Sequence, residues 1–162
     1  MRVPTNYIGM FDRWIWPFDV RSLAAGKREQ RLGVHSLSQV LLIDDNPLQL
    51  SVREAVLRNA GFQVSIATTA ESALATLRVL RDRIGVVVTD HLMPGCSGSE
   101  LVRQIRANND WLPVIVLSGL AEAESEYAGM EVVFRAKPLP PPELIELVRA
   151  SLAVAEQRRG AA

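Results

Sequence analysis

The sequence predicts an α/β fold in which five parallel strands alternate with five helices packed on both faces of one sheet. Three observations carry that reading. Apolar runs such as Val86-Val87-Val88 are continuous rather than alternating, as in strands buried on both faces. Between them lie stretches whose apolar residues recur three and four apart, the spacing of a helix with one face on a core. Several strands also stop at a polar residue followed by Pro or Gly, a sharp break at one end of each unit. Strand and helix alternating in this way predict right-handed crossovers and a parallel sheet.

Taken in order, Gln39 to Ile43 reads as the first strand, and Pro47 suits the first turn of the helix after it. Leu48, Val52, Val56 and Leu57 give that helix an apolar face up to Asn59-Ala60-Gly61. Gln63 to Ala67 is the second strand. Thr68 with Glu71 predicts a capping box, opening a helix with Ala70, Leu74, Leu77 and Leu80 as its stripe. Gly85 to Thr89 is the third strand. Ser97 and Glu100 predict a second capping box, followed by Leu101, Val102 and Ile105 on one face. Pro113 to Leu117 is the fourth strand, and a short acidic helix follows near Glu122 to Tyr127. Val132 to Arg135 is the fifth, and the last helix carries Leu144, Val148, Leu152 and Ala155 on one side.

Composition bounds what this domain can be. Hydrophobic residues are 48% and charged residues 22% of 162, ordinary values for a folded soluble chain. No apolar run approaches the roughly 20 residues of a membrane span, and Asp12, Arg13, Pro17, Asp19 and Arg21 interrupt any secretory h-region. The single cysteine, Cys96, suits a reducing cytoplasm. Residues 37–155 read as one domain with ten basic and fourteen acidic side chains. An acidic domain without a basic stripe argues against direct nucleic-acid binding. Residues 1–36 differ: six basic and three acidic side chains, and five of the nine aromatics (Tyr7, Phe11, Trp14, Trp16, Phe18). They read as a poorly ordered extension, residues from an upstream start codon, or an aromatic docking segment, with a short helix over Ala24 to Leu32. Residues 156–162 read as a tail.

The chemistry concentrates at the carboxyl ends of the strands, where open parallel sheets bind ligands. Asp44 and Asp45 follow the first strand, Asp90 ends the third, Ser118 the fourth and Lys137 the fifth. A parallel sheet brings all five to one edge. Three clustered carboxylates repel, and a hard divalent cation relieves the repulsion. Mg²⁺ fits, since it takes oxygen ligands, keeps several waters and completes its shell with phosphate oxygens. Asp90 could then act as a nucleophilic carboxylate and form an acyl phosphate, with the Lys137 ammonium and Ser118 hydroxyl around the incoming oxygens. Lys137 is one of two lysines against sixteen arginines, a hint that a compact ammonium is wanted there. His91 has no partner at metal-ligand spacing and should point away from the acceptor, as a surface or interface histidine. Cys96 reads as an exposed bystander thiol.

With these residues in view, residues 38–155 resemble the receiver domain of two-component response regulators. The matching pieces are Leu42-Ile43-Asp44-Asp45-Asn46, Thr89-Asp90-His91-Leu92-Met93-Pro94 with Gly98, Leu117-Ser118-Gly119, and Phe134-Arg135-Ala136-Lys137-Pro138. The resemblance implies a flavodoxin-like sheet with strand order 2-1-3-4-5. It implies that Asp90 takes a phosphoryl group from a phosphohistidine on a sensor histidine kinase or a histidine phosphotransfer protein. It also implies Mg²⁺ held by Asp44, Asp45, Asp90 and the backbone carbonyl of Leu92, with Ser118 and Lys137 on the phosphoryl oxygens and a cis Lys137-Pro138 bond. Phe134 is the aromatic that swings inward in relatives; a permanently buried core Phe is the other reading.

Three features depart from the family pattern. Nineteen positions separate Ser118 from Lys137, so the intervening helix is truncated. That weakens the expectation of the family's dimer, and a phosphorylation-dependent homodimer stays an open alternative. Leu92 is apolar and cannot position a hydrolytic water, which predicts a long-lived acyl phosphate. No DNA-binding or enzymatic output domain is expected after the receiver. The resulting expectation is a signalling module, not an enzyme, serving as an adaptor for an unknown downstream protein or as a phosphate shuttle. The alternatives are a Mg²⁺-dependent aspartate-nucleophile phosphohydrolase, which would want its nucleophile on the first strand, and a non-phosphorylated scaffold.

Overall fold

The computed structural model describes residues 38–160. The aromatic-rich residues 1–36, the helix expected within them and residues 161–162 lie outside the described part. The elements are β1 (Gln39–Ile43), α1 (Pro47–Asn59), β2 (Val64–Ala67), α2 (Ala70–Val79), β3 (Ile84–Asp90), α3 (Gly98–Asn108), β4 (Val114–Ser118), a 3₁₀ segment (Ala121–Tyr127), β5 (Val133–Ala136) and α4 (Pro141–Gly160). Every strand pairing is parallel, in the order β2-β1-β3-β4-β5. The doubly wound sheet is therefore as expected, with strand ends shifted by a residue.

β3 lies at the centre and all seven of its residues are buried, which explains its unbroken apolar run. On one face Leu41, Ile43, Val87 and Val116 pack against Ala73, Leu101, Val102 and Ile105 of α2 and α3. α4 covers β3 from the other face and also contacts α1. Gly85 makes that approach possible. A Cβ on it would stand 2.6 Å from Leu152 Cδ2 and 2.8 Å from the Ser38 Cβ.

Two helix assignments need correction. α1 does not bury Leu48 and Val52, which are 72% and 56% exposed; of the expected face Leu57 is buried, and it is joined by Leu50. Leu48, Val52 and Val56 form one apolar stripe and Leu50 and Leu57 another, about 150° apart around the helix, so spacing alone could not choose between them. What orients the helix is its start: Asn46 Oδ1 accepts from the backbone N–H groups of Leu48 and Gln49, and Arg53 reaches back to Asp44. The capping box of α2 is Thr69 with Ser72, not Thr68 with Glu71. Ala70 and Ala73 are the residues that enter the core, and that phase places Thr69 at the cap. The Ser97–Glu100 box of α3 forms as expected.

The expected tail is also partly helical, since α4 runs on to Gly160. Two arginines hold its last turns to the bottom of the sheet. Arg158 donates to the Trp111 carbonyl (3.1 Å), while Arg159 donates to the Ile84 carbonyl (2.6 Å) and lies over the Trp111 ring. No helix among the described residues is long and apolar enough to cross a membrane.

Gly85→Ala should destabilise the fold by about 1–3 kcal/mol, because the new methyl displaces Leu152 and the Ser38 side chain in a packed layer. Urea midpoints test this. The penalty should shrink when Leu152→Ala is added, and equal costs in both backgrounds would show that the two residues do not press on each other.

Candidate functional site

The parallel topology brings Asp44, Asp45, Asp90, Ser118 and Lys137 to one edge of the sheet, as expected. Asp90 ends β3, with its neighbours set by register: Asp90 pairs with Leu117, and Ser118 with Ala136. Carboxylate oxygens of Asp44, Asp45 and Asp90 all lie within 4.8 Å of one another. Asp44 and Asp90 are buried and Asp45 is exposed. The Asp90 carboxylate is held from two sides. The His91 backbone N–H donates to Oδ1 at 2.7 Å, and the Lys137 ammonium donates to Oδ2 at 2.7 Å. Lys137 follows β5 at a cis Lys137–Pro138 bond, and its own backbone N–H donates to the Ser118 carbonyl (2.7 Å).

Arg53 and Gln49 were not singled out from the sequence, yet they complete this edge. The Arg53 guanidinium pairs with the fully buried Asp44 and donates to Gln49 Oε1 at 2.7 Å. Lys137 also reaches Gln49 Oε1, at 3.3 Å. A continuous polar chain thus runs from Asp44 through Arg53, Gln49 and Lys137 to Asp90. The available signal was the spacing of Gln49 and Arg53, four apart on the helix that starts beside the acidic pair. Beyond them the side chains of Leu48, Val52, Val56, Pro138, Leu139 and Leu144 line an open apolar groove that Lys137 and Gln49 also border.

Ser118 lies on the right edge, but its hydroxyl serves its own turn. It accepts from the Leu120 N–H and donates to the Leu120 carbonyl, both at 3.0 Å. Leu92 is 57% exposed. Phe134 is half-buried and stacks at a tilt on Tyr127, with centroids 5.7 Å apart.

His91 is the residue most at odds with expectation. Its side chain does turn away from the carboxylate, but it is buried rather than on the surface. Nδ1 lies 2.8 Å from the Tyr127 hydroxyl, and Nε2 lies 3.6 Å from Glu126. Gly98 leaves room for this pair: a Cβ there would stand 2.6 Å from the Tyr127 hydroxyl and 2.8 Å from the Asp90 carbonyl. Burial, then the charges of Glu126 and Asp90, push the Tyr127 hydroxyl far above the ordinary tyrosine range. Cys96 is half-buried rather than exposed, and burial followed by Glu100 pushes its thiol up, which suits an unreactive group.

The family described as response regulator receiver domain matches residues 40–149. The chain is 37% identical over 120 residues to the C4-dicarboxylate transport transcriptional regulatory protein DctD of Pseudomonas aeruginosa, covering 72% of this chain and 26% of that protein. The DNA-binding response regulator MtrA of Mycolicibacterium smegmatis is 30% identical over 117 residues, covering 70% of this chain and 50% of its own length. The chain therefore spans half or less of these relatives. Among solved structures, a response regulator receiver protein from Pseudomonas putida superposes with a TM-score of 0.65 at 32% identity, over 70% of this chain and 96% of that one. A receiver domain protein from Clostridium thermocellum gives 0.69 over 74% of this chain and 98% of that one; at 24% identity it speaks for the fold alone.

The Tyr127 environment predicts a pH effect. An unfolded chain releases a tyrosine proton near pH 10, whereas the folded protein retains that of Tyr127. The stabilisation is complete below about pH 10 and is lost as pH rises above it. Urea midpoints between pH 8 and 11 should fall more steeply for the wild type than for Tyr127→Phe. Parallel curves would refute the assignment.

Proposed function

Because the chain belongs to the response regulator receiver family of two-component signalling, we propose that Asp90 is its phosphoacceptor. The donor is a phosphohistidine on a sensor histidine kinase or a histidine phosphotransfer protein. The observation that carries the reading is the Lys137 ammonium 2.7 Å from Asp90 Oδ2, beside two more carboxylates. An ammonium on the acceptor is placed to meet phosphoryl oxygens, while the His91 N–H holds the other acceptor oxygen in position. In the transfer, an Asp90 oxygen forms a bond to phosphorus as the N–P bond of the donor breaks. The imidazole leaves with that electron pair and is neutral once a proton has joined its ring. Positioning and charge neutralisation are most of what such a step asks of protein.

Receiver domains generally bind Mg²⁺, and the donor set here fits it. Three carboxylates offer hard oxygens within 4.8 Å, one of them open to solvent. Asp44, Asp45, Asp90 and the Leu92 carbonyl would hold the ion. Bound there, Mg²⁺ supplies positive charge to the phosphoryl oxygens. Ser118 would add a hydroxyl contact, at the cost of its bonds to Leu120. The apolar, largely exposed Leu92 side chain, two residues past Asp90, cannot hydrogen-bond an attacking water, which favours a persistent acyl phosphate.

The apolar groove beside Lys137 is the approach for a protein donor. Leu48 and Val52 stand exposed on α1 at its rim, next to the carboxylate that the donor must reach. Burying them against a helical partner would supply affinity without interrupting the polar chain.

Acetyl phosphate with Mg²⁺ should place one phosphoryl group on each wild-type chain and none on Asp90→Asn, read by intact mass. The label should decay slowly in purified protein. Many turnovers per chain would instead favour a hydrolase, and rapid decay would remove the role given to Leu92. Val52→Asp should slow transfer from a phosphorylated donor protein about tenfold more than it slows labelling by acetyl phosphate. Equal effects on both would place the donor elsewhere.

A further inference from the structure

The segment between β4 and β5 is attached at both ends to groups beside the acceptor. At its start, Ser118 Oγ binds both the N–H and the carbonyl of Leu120, the residue that opens the 3₁₀ segment. At its end, the Tyr127 hydroxyl and His91 Nδ1 are 2.8 Å apart, and the His91 backbone N–H is bonded to Asp90 Oδ1. Within the segment only Ala123 and Tyr127 are buried, and the backbone bonds to its two capping residues are long: Ala123 N–H to the Leu120 carbonyl at 3.3 Å, Ala128 N–H to the Ser125 carbonyl at 3.3 Å. A short 3₁₀ stretch with such bonds holds its place through its anchors. Ser99 supports the second anchor by donating to Glu126 Oε2 at 2.9 Å.

From this arrangement we propose that His91 and Tyr127 form a pin, two positioning residues that keep the Tyr127 end of the segment on the acceptor strand while phosphorylation of Asp90 frees the Leu120 end. The proposal rests on the phosphoacceptor reading above. A phosphoryl group on Asp90 draws the Ser118 hydroxyl toward its oxygens, and the two bonds to Leu120 are given up together. The Tyr127 end keeps its bond, because the imidazole faces away from the carboxylate and does not compete for the phosphoryl oxygens. The segment therefore swings about Tyr127, carrying exposed Glu122 and Glu124 with it. Phe134, stacked on the Tyr127 ring, stays beside the hinge and does not lead the movement.

Backbone amide exchange on the full chain, with and without acetyl phosphate and Mg²⁺, tests the pin, with labelling of Asp90 read by mass in the same samples. In the wild type, labelling should raise exchange in residues 120–124 about fivefold, on the order of one or two lost hydrogen bonds, and leave residues 127–130 unchanged. Tyr127→Phe keeps the ring but not the hydroxyl. It should raise exchange at 127–130 in the unlabelled protein, and His91→Leu should do the same with no further rise in the double variant. Wild-type exchange at 127–130 in both single variants would overturn the pin, as would labelled wild type that loosens equally at both ends. Wild type that takes no label would overturn the acceptor reading and the coupling with it, whereas full labelling with an unchanged segment would overturn the coupling alone.

Discussion

The edge of this sheet depends on one ion pair, Lys137 with Asp90, which joins residues 47 apart in sequence. Both groups are largely withdrawn from water, so each needs the other, and the pair forms only if β5 lies next to β4 and β4 next to β3. The same contact ties Lys137 through Gln49 to Arg53 and Asp44 on the far side of the central strand. A slip of one residue in β5 would turn Lys137 away and leave a buried carboxylate unmatched. The acceptor geometry is therefore a consequence of strand register more than of any loop.

Much of this was legible in the sequence, because a parallel sheet converts the order of strands into proximity. Asp44, Asp90, Ser118 and Lys137 each sit at a strand's carboxyl end, and no finer knowledge was needed to bring them together. What could not be read were choices between equivalent local patterns. Leu48-Val52-Val56 and Leu50-Leu57 are both plausible stripes of α1, and the Asn46 cap together with the tertiary pull of Asp44 on Arg53 selects the second. Thr68 and Thr69 are equally good caps, and the core position of Ala70 decides. His91 read as a surface or interface residue because strand alternation shows the direction of a side chain, not what waits there. Its partner Tyr127 comes from a segment 36 residues away.

The exposed stripe of α1 and the short 3₁₀ segment lie at opposite sides of the acceptor and differ in how they are held. α1 is a thirteen-residue helix capped by Asn46 and packed through Leu50 and Leu57, a stable platform whose outer apolar residues can be covered by a partner without rearrangement. The 3₁₀ segment has only seven residues, no side-chain cap at its start, and two buried residues, Ala123 and Tyr127. Elements that move in response to ligands come from this weakly held class. A rigid entry side and a loosely held opposite side are what a domain needs if it is to receive a group in one place and report it in another.

The charge balance of the site explains why that group should be a phosphoryl. Three carboxylates meet two cationic side chains, Arg53 and Lys137, so by formal charge the cluster is left with one carboxylate in excess. Arg53 is committed to Asp44 on the buried side, which leaves Asp45 facing solvent without that cation's help. A divalent cation added at the open side reverses the sign of the excess, and the site then favours an incoming phosphoryl dianion over a neutral ester. Without the cation, the same carboxylates repel the phosphoryl oxygens and Lys137 alone opposes them. In the proposed reading, phosphoryl acceptance and cation occupancy are thus one electrostatic requirement, and the side chains placed to meet it come from three strand ends and one helix that the fold holds at a common edge.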